Sequence, residues 1–251
     1  MRKSVTVICF ILLLFLVGCG QPETLPDAEN SPQKEVPQEI ETPPEKEEPQ
    51  IELPLTEPEP KEISGLVRIA DLDETILIDL KYATADNFTG RPLYPVSVGV
   101  INKETGERLV QAGEIFRRDG YRIKVWDAYR PYRYQQDLWD AFPDSRYVLN
   151  PAKDTMENPR PRHNNGLAVD ITLVDENGHE LEMPTGFDDF STKAWPSSTD
   201  MSPQAKKNVT YLIEVMESVG FKTPKTEWWH FNDMLTVPGP YLDIPLEEFL
   251  D

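Results

Sequence analysis

Cysteine is nearly missing from this chain. Among 251 residues only Cys9 and Cys19 carry a thiol. Everything beyond position 19 therefore lacks a disulfide, a thiol nucleophile and a thiolate metal ligand, and oxidising surroundings permit disulfides without requiring them. Histidine is scarce as well, with only His163, His179 and His230, so any metal must be held by imidazole and carboxylate together. Positive charge is short: 25 Lys and Arg face 44 Asp and Glu, for a formal charge of −19. So acidic a surface repels phosphate and argues against nucleic acid as a partner. Long apolar runs are limited to Val5–Val17, which is shorter than the ~20 residues a membrane-spanning helix needs.

That one run has an identifiable context. Arg2 and Lys3 precede it and Gly18-Cys19 follows, the order of a secretory signal peptide over residues 1–18. Leu16-Val17-Gly18-Cys19 has the form of a bacterial lipobox, in which the cysteine is acylated and becomes the mature N-terminus. Several acyl chains on Cys19 would anchor the protein in the lipid bilayer, each buried methylene contributing ~0.8 kcal/mol. The expected location is the outer side of the cytoplasmic membrane. Residues 20–62 then hold thirteen acids against three lysines, with ten prolines between positions 21 and 61. Such a stretch buries too little apolar surface to offset its ordering entropy, and residues 19–62 read as an extended tether.

The remaining residues, 63–251, are enough for an ordinary core. From Glu104 to Asp119, Leu109, Ala112, Ile115 and Phe116 recur at helical spacing, and Gly120 is placed to cap the C-terminus. Tyr121–Trp126 alternates as a strand. Ser202-Pro203 opens a second helix with Val209, Leu212, Ile213, Met216 and Val219 inward, closed by Gly220. Leu167–Val174 and Lys225–Phe231 are short β-type runs. Helices and strands mix without a βαβ cycle, which favours an α+β fold.

The histidines differ in their surroundings. His163 begins His-Asn-Asn-Gly, a loop feeding an apolar strand that contains Asp170 between Val169 and Ile171. Burying that carboxylate without a partner is costly, and a cation would remove the cost. If the chain turns at Gly166, His163 and Asp170 can converge on one ion. His230 ends Glu227-Trp228-Trp229-His230. Two imidazoles and one aspartate are the ligand set expected of catalytic zinc with an open position for water. Glu227, a carboxylate beside that set, is the candidate to take the water's proton. Singly, each His–carboxylate pair is more often a salt bridge or capped turn; their joint occurrence carries the reading. His179, in Asp-Glu-Asn-Gly-His-Glu, is expected to be exposed. Arg130 closes Trp126-Asp-Ala-Tyr-Arg130-Pro131. It can bind a carboxylate, stabilise an oxyanion, or stack structurally among Trp126, Tyr129 and Tyr132, and local sequence does not choose among these.

Four blocks in this order, Asp79–Gly90, Trp126–Arg133, His163–Asp170 and Glu227–His230, resemble the D-alanyl-D-alanine dipeptidases, which include the vancomycin-resistance dipeptidases. The resemblance spans nearly all of residues 66–245. It implies a compact α+β domain with a central antiparallel sheet flanked by helices, as in bacterial D,D-carboxypeptidases and the hedgehog domain. It also implies one zinc on His163, Asp170 and His230, with Glu227 as catalytic base and Arg130 stabilising the transition state. Tyr82 and Asp188 fall where the family contacts substrate, Asp188 pairing with the dipeptide's ammonium, although Asp189 is adjacent. Two departures stand out. The vancomycin-resistance enzymes carry a serine two residues before the first zinc histidine, where this chain has Pro161. They also act in the cytoplasm, whereas the leader here implies export and a role in cell-wall recycling or scavenging. The expected reaction is hydrolysis of D-Ala-D-Ala or a similar short D-amino-acid peptide. A D,D-carboxypeptidase trimming peptidoglycan stems, and a catalytically inert zinc-stabilised binding module, are the rival expectations. Oligomeric state is left open.

Overall fold

Two caps set the long helices. Asn102 Oδ1 accepts from the backbone N–H groups of Glu104 and Thr105, and Ser202 Oγ accepts from Ala205 N with Pro203 in the first turn. Both satisfy donors that a helix start leaves without partners. The computed structural model describes residues 60–153, 160 and 162–250, all within the compact unit Leu55–Asp251. The signal segment, Cys19, the tether up to residue 59 and Pro161 lie outside the described residues.

In chain order the regular elements begin with β1 (Leu66–Arg68), α1 (Ile69–Leu72), β2 (Leu77–Ile78), β3 (Val100–Asn102) and α2 (Lys103–Arg118). They continue with β4 (Arg122–Asp127), α3 (Gln135–Ala141), β5 (Ala168–Val174), α4 (Pro203–Ser218), β6 (Phe221–Lys222) and β7 (His230–Asp233). Strands β1 and β3 form an antiparallel pair, and a five-stranded sheet runs β2-β4-β5-β7-β6. Within that sheet only β2 and β4 are parallel; the other pairs are antiparallel. The expected α+β class with a central, mainly antiparallel sheet is the observed one. Among the described residues no helix is long and apolar enough to cross a membrane.

Strand β5 is buried along its whole length. Because side chains alternate across a strand, Val169, Ile171 and Leu173 share one face, and all three belong to the main hydrophobic core. Helices α2 and α4 cover that core: Phe116 of α2 meets Tyr211 of α4 edge to face at 5.6 Å, and α2 packs against β4. The buried residues of α2 include Leu109, Ala112 and Phe116, as its spacing predicts. In α4, Val209, Leu212 and Met216 are buried, but Ile213 and, just past the helix end, Val219 are only half-buried, and Ala205 and Val215 take the inward places. The opposite face of β5 presents Asp170, and there the site is built.

The second β-type run is shorter than its composition predicts. Only His230–Asp233 joins the sheet. Residues 225–229 are irregular: Trp228 N donates outside the sheet to Ala194 O at 3.1 Å, and only Trp229 O keeps a bond to β5, accepting from Ile171 N at 3.0 Å. Trp228 and Trp229 are both fully buried, so these consecutive indoles are packed from two sides rather than alternating inward and outward.

Candidate active site

His163 reaches the site through a tight turn. Residues His163–Asn165 form one turn of 3-10 helix, ended by Gly166 in the left-handed region at φ 71°. A side chain there would place its Cβ 2.7 Å from Asn102 N, so glycine is required both by conformation and by space. The turn is tied to the end of β4: Arg130 N donates to His163 O at 3.1 Å, and Asn164 Nδ2 donates to Arg130 O at 3.0 Å.

The chain then enters β5 and carries Asp170 opposite His230 of β7. His230 Nδ1 lies 2.8 Å from Asp170 Oδ1, and His163 Nε2 lies 3.3 Å from Asp170 Oδ2 and 3.2 Å from His230 Nδ1. One ligand atom from each residue falls within 4.8 Å of the others. The tautomer of His163 follows from its other nitrogen. Nδ1 is 2.7 Å from Ala128 O, and a carbonyl only accepts, so Nδ1 carries the proton and neutral His163 aims the Nε2 lone pair at Asp170. Asp170, 3% exposed, thus presents oxygen lone pairs to a nitrogen lone pair. Burial would raise its pKa, but protonated His163 and His230 would outweigh that and hold it below the usual carboxylate range. A bound cation would supply that stabilisation when the imidazoles are neutral. A divalent cation is what this convergence of electron pairs fits, and the N,N,O set suits zinc.

Around the triad lies a cavity of about 270 Å³, whose walls include Tyr82, Arg130, His163, Asp170, Asp188, Glu227 and His230. Every candidate catalytic, substrate and metal residue is brought to this one space. His179 is not; its side chain is 80% exposed and pairs with Asp175.

Arg130 is aimed by a network that the sequence reading missed. Asp127 Oδ2 accepts from Nε at 3.1 Å and Nη2 at 2.7 Å, and Gln135 Oε1 accepts from Nη1 at 3.2 Å. The guanidinium also sits 5.2 Å over the Tyr82 ring, rather than stacking among Trp126, Tyr129 and Tyr132. Asp127 Oδ1 in turn accepts from Tyr94 Oη at 2.9 Å. A β-bulge makes this possible. Val125 pairs with Ile171, but Asp127 pairs with Asp170, so the extra residue turns Asp127 from the core face to the cavity face. Burial acts to lower Arg130's pKa, yet Asp127 outweighs it, with Tyr94, Tyr82 and Asp170 adding, and the cation is secured.

Tyr82 Oη donates to Asp188 Oδ2 at 3.0 Å and Oδ1 at 3.3 Å. Asp188 has φ 57°, a left-handed conformation that aspartate tolerates better than most residues. Its neighbour Asp189 instead accepts from Ser191 N at 3.0 Å, so the adjacent pair is resolved: Asp188 is the one at the cavity. Burial and the Asp170 carboxylate raise Asp188's pKa against the opposing Tyr82 bond. A bound cation at that point would relieve both effects. Glu227, also on the cavity wall, is raised well above the ordinary range by burial, then by Asp170 and Asp188, with Arg130 opposing. It is a carboxyl that holds a proton readily. The local signal for Asp127 was present, three residues before Arg130 in the same block, but its role depends on the bulge.

The D-Ala-D-Ala dipeptidase family profile matches residues 62–246. The D-alanyl-D-alanine dipeptidase of Escherichia coli K12 is 34% identical to this chain over 171 residues, covering 68% of this chain and 86% of its own length. That of Enterococcus faecium is 32% identical over 200 residues, covering 73% and 98%. A solved LD-carboxypeptidase, LdcB, covers 75% of this chain and 78% of its own at 20% identity and a TM-score of 0.37, too distant to bear on the assignment.

Proposed function

Because the chain belongs to the D-Ala-D-Ala dipeptidase family, we propose that it hydrolyses D-Ala-D-Ala, or a closely similar short D-amino-acid peptide, in cell-wall peptide turnover. The observation that carries this reading is the His163–Asp170–His230 convergence inside a cavity that also holds Glu227, Arg130 and Asp188. His163, Asp170 and His230 would hold one zinc ion. Zinc bound there supplies a Lewis acid and brings the pKa of water to about 7.

The chain's own residues then divide the work. Asp188, supported by Tyr82, receives the ammonium of the dipeptide and regains its ionised form in doing so. Arg130, kept charged and immobile by Asp127 and Gln135, faces the oxygen on which negative charge develops. Glu227 takes the proton of the attacking water and passes it to the departing amine. A carboxyl whose surroundings favour the protonated form is suited to that second transfer.

The cavity size favours a small substrate over a peptidoglycan strand, since about 270 Å³ lies at the low end of ligand sites. Turnover of free D-Ala-D-Ala against a stem pentapeptide tests this: the reading expects the dipeptide to be the better substrate. Preferred cleavage of the pentapeptide would make the protein a D,D-carboxypeptidase, and a zinc-loaded but inert protein would make it a binding module. Export and acylation at Cys19 complete the proposal, placing the enzyme on the outer side of the cytoplasmic membrane, where it would recycle or scavenge wall peptides. The support is the order of charge, apolar run and Leu16–Cys19 in the sequence.

A further inference from the structure

Tyr94 stands behind the cavity wall rather than in it, and it touches both working ends of the site. The residue is 2% exposed. Its backbone N–H donates to Tyr82 O at 2.9 Å, beside Leu93 N at 2.8 Å. Its ring meets the Tyr82 ring edge to face at 5.8 Å and leans on Tyr134, the neighbour of Gln135, at 5.2 Å. Its hydroxyl donates to Asp127 Oδ1 at 2.9 Å, the oxygen that Arg130 leaves unused. Burial, with the Asp127 carboxylate adding and Arg130 opposing, raises that hydroxyl well above the ordinary tyrosine value, so it stays a donor. The contacts close a circuit: Tyr94 to Asp127, Asp127 to Arg130, the guanidinium 5.2 Å over the Tyr82 ring, and Tyr82 back to Tyr94.

Resting on the dipeptidase reading above, we infer that Tyr94 is a positioning residue that fixes Arg130 relative to the ammonium site. Its hydroxyl serves the Arg130 arm; its ring and backbone serve Tyr82, which donates to Asp188. Asp127 sits at the β-bulge, where the strand register shifts and the ladder is locally disrupted. A carboxylate bonded through one oxygen alone can still turn. With Oδ1 held by Tyr94, Oδ2 keeps one direction, and the Nε and Nη2 groups of Arg130 follow it. The separation of Arg130 from Asp188 is thereby set. That separation matters for a dipeptide, because its ammonium and its scissile carbonyl belong to the same residue. A misplacement of about 1 Å in such a site can cost about 10² in rate. Because the hydroxyl acts on one arm only, its removal separates rate from binding.

A double-mutant cycle tests the assignment, read by steady-state kinetics on D-Ala-D-Ala with the zinc-loaded full chain. Tyr94→Phe keeps the ring and backbone contacts. It should lower kcat about tenfold or more, with KM changed by less than about threefold and zinc content unchanged. In an Arg130→Ala background the same substitution should lower kcat by less than about twofold, because its effect passes through Arg130. Tyr94→His, whose shorter ring offers Asp127 a donor only if the carboxylate moves, carries the same cycle if the phenylalanine variant does not fold. A loss of equal size in both backgrounds makes Tyr94 merely structural and overturns the inference. So does a Tyr94→Phe enzyme with wild-type kcat. A zinc-loaded wild type inert toward D-Ala-D-Ala overturns the dipeptidase reading, and this inference with it.

Discussion

Asp127 and Arg130 form a buried pair in which one carboxylate oxygen receives two guanidinium donors, at 3.1 and 2.7 Å. Arg130→Ala is expected to lower kcat by about 10²–10³, the range seen when one transition-state donor is removed, while zinc content stays at the wild-type level. Asp127→Asn should also lower kcat, by about tenfold or more, because Arg130 is no longer held in place. It should cost stability too, since it strands a buried charge. Rapid kinetics with metal analysis check both; a fully active Asp127→Asn enzyme would remove the network from the mechanism.

Glu227→Gln should retain zinc and substrate affinity and lose about 10²–10⁴ of turnover. Wild-type turnover in that variant would exclude Glu227 as the base.

The same substitution has an opposite effect on stability. The folded pKa of Glu227 is raised by burial, Asp170 and Asp188, so its contribution is fully present below the unfolded value and is lost as pH rises through the folded one. Metal-free Glu227→Gln should therefore melt above metal-free wild type at pH 7.5. The difference should shrink toward zero below about pH 4, where the carboxyl is protonated in both states. Thermal melts across that range read the sign directly.

Gly166→Ala should destabilise the protein by about 1–3 kcal/mol through backbone strain alone, with a further cost from the 2.7 Å approach to Asn102 N, and should weaken metal binding by displacing His163. Gly120→Ala serves as control, since it shares a positive φ but has nothing within 4 Å of its new Cβ. Chemical denaturation and metal titration of the pair separate strain from site geometry.

Much of this arrangement was legible in the sequence wherever the signal was local. The two long helices followed from apolar spacing, from the Ser202-Pro203 start and from the closing glycines Gly120 and Gly220, whereas the Asn102 cap was not read. The turn at Gly166 followed from His-Asn-Asn-Gly, and the candidate ligands from an aspartate set inside an apolar strand. What depended on tertiary pairing was not legible. Asp127 faces the cavity only because a bulge opposite Ile171 and Asp170 changes its side of the sheet, and alternation alone would have put it in the core. Gln135 reads as an ordinary first-turn helix residue until its partners Arg130 and Leu149 O are known. Trp228 and Trp229 look like strand residues by composition, yet Trp228 N donates outside the sheet to Ala194 O, and only the Trp229 carbonyl bonds to β5.

Zinc stoichiometry in the purified chain is the measurement closest to the centre of the account. Wild type and Glu227→Gln should each hold one zinc per chain, while His163→Ala, Asp170→Ala and His230→Ala should lose it together with hydrolysis of D-Ala-D-Ala. A wild-type protein that cleaves the dipeptide without metal, or triad variants that keep their zinc, would contradict it.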